Sequence, residues 1–518
     1  MKRSTHLFPH AFASLGFLAI NLLTLFPARA DVRLPHVFAS DMVLQRDMPL
    51  RVWGWAAPKE KVVVEIGKSR QSVTANADGQ WMAKLPEMSA GGPYELTVRG
   101  HNTIKLTGIL IGEVWIASGQ SNMEMGIGMC TDGKKEIAAA DHPQIRLFLV
   151  PKKTSGLPVS DVEAKWQVCS PSTIGQGGWG GFSAAAYYFG REIHKSLNVP
   201  VGLIATSWGG TRIEPWTPPT GFAGVPALKT ISEKIEQANS DYYKSYVAAL
   251  DEIEKGVRSA RQAYEAGKPL PALPTVKHSL DGNAEPTGLY NAMIHPLVPF
   301  AMRGAIWYQG ESNNGEGMLY YEKMKALIGG WRQVWKSGDF PFIFVQIAPY
   351  KYGGAPTQLP GIWNAQLASL AIPNTGMAVT TDITTLNDIH PPNKQEVGRR
   401  LALWALAKTY GKKDIVYSGP LYKKSKARED KIAVSFEQTG SGLATRDGKD
   451  VTSFEVSGED GAFVPAQAKI QGNEVLVWAD SVSKPKHVRF AWDQLAQPNL
   501  MNKEQLPASP FSTAELSH

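Results

Sequence analysis

The chain has 518 residues, 54 Lys and Arg against 47 Asp and Glu, and a formal net charge of +7. That near-balance argues against a nucleic-acid partner, which would call for clustered basic residues with stacking aromatics between them. Two cysteines exclude a disulfide-framed scaffold and a structural zinc site, and the length leaves room for roughly two to four domains with ample core.

Residues 1–30 combine Lys2 and Arg3, an apolar stretch over 12–26, and Ala28, Arg29 and Ala30. This reads as a secretory signal peptide with an AxA cleavage site, the mature chain beginning near Asp31; a signal anchor is the rival reading. The charge falls to +4 once Lys2, Arg3 and Arg29 leave. No later segment approaches the ~18 uninterrupted apolar residues of a membrane span, so no membrane contact is expected after cleavage. The basic run at 423–431 is interrupted by Glu429 and Asp430 and reads as a solvated loop.

Residues 31–108 read as an antiparallel β module, with strands at 50–55, 62–66, 81–85 and 94–98 between turn signals such as Asp78-Gly79. Over 109–415 the pattern becomes buried strands (111–117, 145–150, 201–207, 304–308, 342–348, 377–381) alternating with helices (184–195, 320–334, 395–409). That alternation is the signature of an α/β domain, a parallel sheet flanked by helices. A charged stretch at 228–266 reads as a helical insertion, because a structureless loop of that length is unusual inside a compact domain. From 416 to 518 short strands return, at 432–436, 453–456, 474–478 and 488–492, forming a second β segment that is a candidate to pack against the first.

The informative run is WIASGQSNMEM at 115–125. A buried strand ends there in Ser118, Gly119, Gln120 and Ser121, which puts Ser121 at the carboxyl edge of the sheet, where open α/β sheets bind ligands. A turn into a helix leaves backbone N–H groups free to receive a developing oxyanion. In isolation Ser121 is an N-cap serine; what changes the reading is the rest of the chain. A serine nucleophile needs a base, usually histidine. Nine histidines remain after residue 30, and two stand out, His295 in an apolar context and His390 in a loop before an amphipathic helix. His390 is preferred, with Asp388 or Asp382 to orient it, while His295 reads as a core histidine bonded to a backbone carbonyl. Gly209 and Gly210, after one strand, offer backbone N–H donors, and Gln309 and Asn313, after another, offer amides to the same oxygen.

At these positions a resemblance appears. GQSNMEM, WGGTRIEPW, WYQGESN and DIHPPNKQEVGRRLA resemble the blocks of the sialate O-acetylesterase family, within the SGNH (GDSL-like) hydrolases. The likeness extends to LPHVFASDMVLQR, FSAAAYYFGREI, LYNAMIHPL and RFAWDQLAQPNL, and so covers nearly the whole mature chain. The resemblance implies an SGNH-hydrolase-like fold and a carbohydrate O-acetylesterase; no phosphate loop, dinucleotide fingerprint or metal-ligand spacing appears in the sequence, so no cofactor and no metal are expected. The resemblance makes Ser121 the nucleophile and His390 the base, with an oxyanion hole from Ser121, Gly209 or Gly210, and an amide of Gln309 or Asn313. Arg212 and Glu311 are candidate substrate contacts, Arg212 as a grip for a sugar carboxylate unless it pairs with Glu214. One departure concerns the acid: many SGNH enzymes carry DxxH, but here Asn387 holds that position and the acid is Asp388. A triad through Asp388 and a Ser-His dyad both stay open. So do a plant-polysaccharide (acetyl xylan) esterase and a non-catalytic glycan-binding protein, as does pairing of Cys130 with Cys169. Oligomeric state is not legible.

Overall fold

The structure is a computed structural model and describes residues 31–514; the expected signal peptide at 1–30 lies outside the described residues. The N-terminal segment contains β1 (Val43–Gln45), β2 (Leu50–Trp55), β3 (Lys61–Ile66), β4 (Ser69–Thr74), β5 (Gln80–Leu85) and β6 (Gly91–Arg99). Strands β2 and β5 pair antiparallel, and β3 pairs antiparallel with β4 and β6. Alternate residues of β3 and β5 are buried, as a sheet with one wet face requires.

The next strand, β7 (Thr103–Gly119), carries the chain from one architecture into the other. Its first six residues alternate between exposed and half-buried, and its last eleven are all buried. The change in burial falls at Ile109; β7 pairs with β6 as far as Ile111, with β10 from Glu113 and with β11 from Trp115, and so passes into a sheet covered on both faces. The expected boundary at 108/109 therefore lies within one continuous strand.

The central sheet adds β8 (His142–Leu149), β9 (Trp166–Cys169), β10 (Val201–Ser207), β11 (Gly304–Tyr308), β12 (Phe342–Val345) and β13 (Thr375–Ala378). Its order is β13-β12-β11-β7-β10-β8-β9, parallel except for β9 on β8. The chain places β8, β9 and then β10 on one side of β7 and β11, β12 and β13 on the other, so it changes sides at β7, which opens a crevice at the carboxyl end of that strand. Trp115 and Trp307 occupy opposite faces, since Trp307 pairs with Ser118, which points away from Trp115. Trp115 meets Phe189 of the helix Ala184–Leu197, and Trp307 meets Trp331 of the helix Leu319–Trp335.

The insertion is one helix, Lys229–Glu265. The C-terminal segment folds into two four-stranded antiparallel sheets and a small two-stranded one, with its own apolar core. The basic run expected as a loop is instead a hairpin, Leu421–Arg428 and Lys431–Glu437, turning at Glu429-Asp430. The two β segments do not pack on each other as anticipated. The N-terminal strands join the core of the central sheet through β7, whereas the C-terminal segment docks beside β12, where Gln346 Nε2 donates to Ser509 Oγ at 3.0 Å. Cys130 and Cys169 are separate buried thiols.

Candidate active site

Strand β7 ends at Gly119 with φ +141, and a Cβ there would come within 2.1 Å of the Tyr308 carbonyl oxygen on β11. Only glycine lets the two strands stay paired to their ends. The chain then turns, and Ser121 opens the short helix Ser121–Glu124. Opposite it, His390 lies in the loop before the helix Lys394–Trp404, whose N-cap Asn393 accepts from Glu396 N at 3.1 Å. His390 Nε2 lies 2.9 Å from Ser121 Oγ. Trp179 sits edge-on to the imidazole, with ring centroids 4.8 Å apart. Burial and then the nearby Lys394 ammonium lower the pKa of His390 from its ordinary value, against opposing pulls from Asp388 and Glu124. His295 is elsewhere, with Nδ1 2.8 Å from the Val159 carbonyl oxygen.

Asp388 does not orient the ring. Its Oδ1 is 3.7 Å from Nδ1, beyond hydrogen-bond reach, and accepts the backbone N–H of His390 at 2.9 Å instead. The carboxylate is 60% exposed, so water screens its charge. Asp382 is further removed from the task, because it forms a bidentate pair with the buried Arg400, both bonds 2.7 Å.

A buried relay ties the segments that carry Ser121 and His390 together. Asn122 Nδ2 donates to the Ile389 carbonyl at 2.9 Å and to Glu311 Oε1 at 2.6 Å. Lys394 Nζ donates to Asn122 Oδ1 and to the Pro391 carbonyl, each at 2.7 Å. The carbonyls on either side of His390 are thus both gripped from below. Burial pushes Lys394 down to about 8, and burial raises the Glu311 carboxyl. Glu311, expected to touch substrate, lies instead beneath Asn122 and is almost fully buried.

The expected oxyanion donors divide. Among the described residues the backbone N–H groups of Ser121 and Gly210 have no acceptor, and they border the turn and the loop that face each other here. Gly209 N–H already donates to Glu124 Oε2 at 2.6 Å. The Gln309 amide is turned into the protein: its Nε2 donates to Gln120 Oε1, Asn313 Oδ1 and the Thr211 carbonyl at 3.1, 2.7 and 3.3 Å. Asn313 Nδ2 donates to Glu214 and Glu316, both at 3.1 Å. Neither amide keeps an N–H for a substrate oxygen; Gln309 braces the loop after β11 against Gln120, and Asn313 ties it to Ile213, Glu214 and Glu316. Arg212 is also paired, with Glu214 Oε1 3.2 Å from Nη2 and Glu316 on the same nitrogen. Lys323 bonds both carboxylates from the buried side, and together with Asn313 and Arg212 it outweighs burial to keep Glu214 ionised below the usual carboxylate range.

The sequence profile of "Carbohydrate esterase, sialic acid-specific acetylesterase" matches residues 111–259 and 278–407, which is more than half of the chain. The chain belongs to this family. The sialate O-acetylesterase of Rattus norvegicus is 30% identical over 92% of this chain and 93% of its own length. That of Homo sapiens is 31% identical over 74% of this chain and 72% of its own. The crystal structure of a carbohydrate acetylesterase from Xanthomonas citri superposes with a TM-score of 0.79 at 35% identity, covering 94% of this chain and all of that one. As a member of the acetylesterase family the protein is a carboxylic ester hydrolase that removes O-acetyl groups from glycans.

For such an esterase the relevant opening is a cleft of about 670 Å³ lined by Glu124, Lys152, Glu163, Trp179 and Ser207. It shares Trp179 with the face of His390. Sequence reasoning passed over Glu124, Trp179, Asn122 and Lys394. Three of them had a legible signal, since Asn122 and Glu124 follow Ser121 within one helical turn and Lys394 follows His390 by four residues. Among the described residues no helix is long and apolar enough to cross a membrane, and no group of three or more His, Cys, Asp or Glu is gathered as metal ligands would be.

Proposed function

We propose that the protein is a secreted serine esterase in which Ser121 attacks the acetyl carbonyl of a glycan ester while His390 accepts its proton. The observation that carries this reading is the 2.9 Å approach of His390 Nε2 to Ser121 Oγ. Attack forms a tetrahedral intermediate whose oxyanion the N–H groups of Ser121 and Gly210 stabilise. His390 returns the proton to the sugar oxygen as the C–O bond breaks and the alcohol leaves. Water, deprotonated by the same imidazole, then releases acetate from the acyl-enzyme. A pKa below the ordinary value keeps the ring neutral, and so able to act as base, at and below neutral pH. The catalytic unit is read as a dyad, with Asp388 holding the turn. The short contact also speaks against a purely glycan-binding role. Secretion rests on the residue pattern of 1–30.

For the substrate, the names of the curated relatives support an acetylated sialic acid. A second reading, a neutral acetylated polysaccharide such as xylan, is favoured by electrostatics. Arg212 is held by Glu214 and Glu316, and Lys152 by Glu124 at 2.6 Å, so the cations that could receive a sugar carboxylate are already paired. Measuring kcat/KM on O-acetylated sialic acid beside acetylated xylan decides between them. A strong preference for the sialic acid that Arg212→Gln abolishes would remove the neutral reading.

A further inference from the structure

The helix Lys229–Glu265 has 37 residues, about 55 Å at 1.5 Å per residue. Only Ile235 and Ala238 of it are buried, packed with Phe222, Leu228 and Leu280. Beyond Asn239 the helix buries no residue, yet it carries an apolar ridge. Tyr243, Leu250, Val257 and Tyr264 follow one another at seven-residue intervals and are 57%, 45%, 45% and 77% exposed. Tyr246 and Val247 widen the ridge at one end. The returning chain covers only a flank, where Leu273 and Pro274 lie over Gly256, and it adds exposed Leu270 and Leu273. A seven-residue apolar repeat on one helix face is the pattern of a seam between helices, and a stripe this size left in water marks an interaction surface.

A row of charges beside the ridge identifies what covers it. Lys244, Asp251, Arg258 and Glu265 also repeat every seven residues, and they alternate in sign. We propose that two copies of this chain dock through this ridge, helix antiparallel to helix, to form a dimer. With Tyr243 of one copy opposite Tyr264 of the other, Leu250 falls opposite Val257. The same register brings Lys244 to within two residues, about 3 Å along the axis, of the level of Glu265, and Asp251 likewise of Arg258, so long side chains of opposite sign lie within reach of each other along the row. Parallel alignment would place each charge beside its own counterpart of like sign. Glu254, nearest the two-fold axis, is neutralised within its own helix by Arg258 at 3.6 Å. The two-fold symmetry makes the interface close on itself.

Sedimentation velocity on the mature protein over a roughly hundred-fold concentration range tests this. The expected result is a dimer that Leu250→Asp with Val257→Asp converts to a monomer of unchanged esterase kcat. Asp251→Arg should weaken the dimer and Arg258→Asp in the same chain should restore it. For orientation, Glu254→Cys should cross-link to the second copy under mild oxidation, while Tyr243→Cys should not. A wild-type chain that stays monomeric throughout overturns the proposal, whether the ridge then binds vesicles, another protein or nothing. So does a dimer that survives the double aspartate variant, or Tyr243→Cys cross-linking as readily as Glu254→Cys.

Discussion

Lys394 Nζ donates to Asn122 Oδ1 at 2.7 Å, tying the helix that follows His390 to the residue that follows Ser121. Through Asn122 and its own bond to Pro391, this ammonium fixes both peptide carbonyls that flank the imidazole. The relay sets the distance across which a proton would move, although neither residue reaches the Ser121 hydroxyl.

Lys394→Met should therefore lower kcat about 10- to 100-fold with little change in KM, the size expected for a misplacement of about 1 Å. It should also move the acid limb of kcat/KM to higher pH. The Lys394 charge depresses the pKa of His390, so its loss lets the ring protonate, and the base fail, at a less acidic pH. A variant with wild-type kcat and an unmoved acid limb would show that the relay is only packing.

Ser121→Ala should lower kcat for a nitrophenyl acetate by three or more orders of magnitude with the fold intact by circular dichroism. An organophosphonate should label Ser121 alone. Retention of most activity by the alanine variant would remove Ser121 from the mechanism.

The places of Ser121 and His390 were legible because each stands beside a strong periodic signal. The run of 111–117 has to be a buried strand, so the first polar residues after Gly119 must lie at the sheet edge. His390 precedes a helix whose N-cap and apolar spacing are plain. Side-chain direction was not legible. Gln309 and Asn313 sit at the expected strand end, but whether an amide faces the crevice or the protein depends on partners far away in sequence, Gln120 and Glu214. The strand Ser69–Thr74 escaped notice because it is a polar edge strand with no buried residue. The helix Gln358–Ala368 escaped because Pro360 reads as a breaker, although the first turn of a helix tolerates it.

Prolonged EDTA treatment should leave activity unchanged, since in the proposed mechanism a serine and a histidine perform both proton transfer and attack. The check is residual turnover after dialysis. Loss restored by Zn²⁺ or Mn²⁺ would replace the serine mechanism with a metal-assisted one.

The last prediction separates Asp388 from Asp382 and the dyad from a triad. A carboxylate bonded to Nδ1 holds the histidine tautomer and stabilises the imidazolium, and in a complete triad its loss costs roughly 10⁴ in kcat. Asp388 lies 3.7 Å from Nδ1 and bonds the backbone of His390 instead, so Asp388→Asn should cost about tenfold or less, through a small shift of the loop. The Asp388 charge raises the pKa of His390, so its removal should also carry the acid limb to lower pH, opposite to Lys394→Met. Asp382→Asn should behave differently again. It leaves the buried Arg400 with only Glu396 as a carboxylate partner, which should destabilise the fold by about 3 kcal/mol and lower Tm, with kcat of the folded fraction nearly unchanged. His390→Ala should abolish turnover in either case. If Asp388→Asn instead matches His390→Ala while remaining folded, the loop closes onto Nδ1 during turnover and the catalytic unit is a triad.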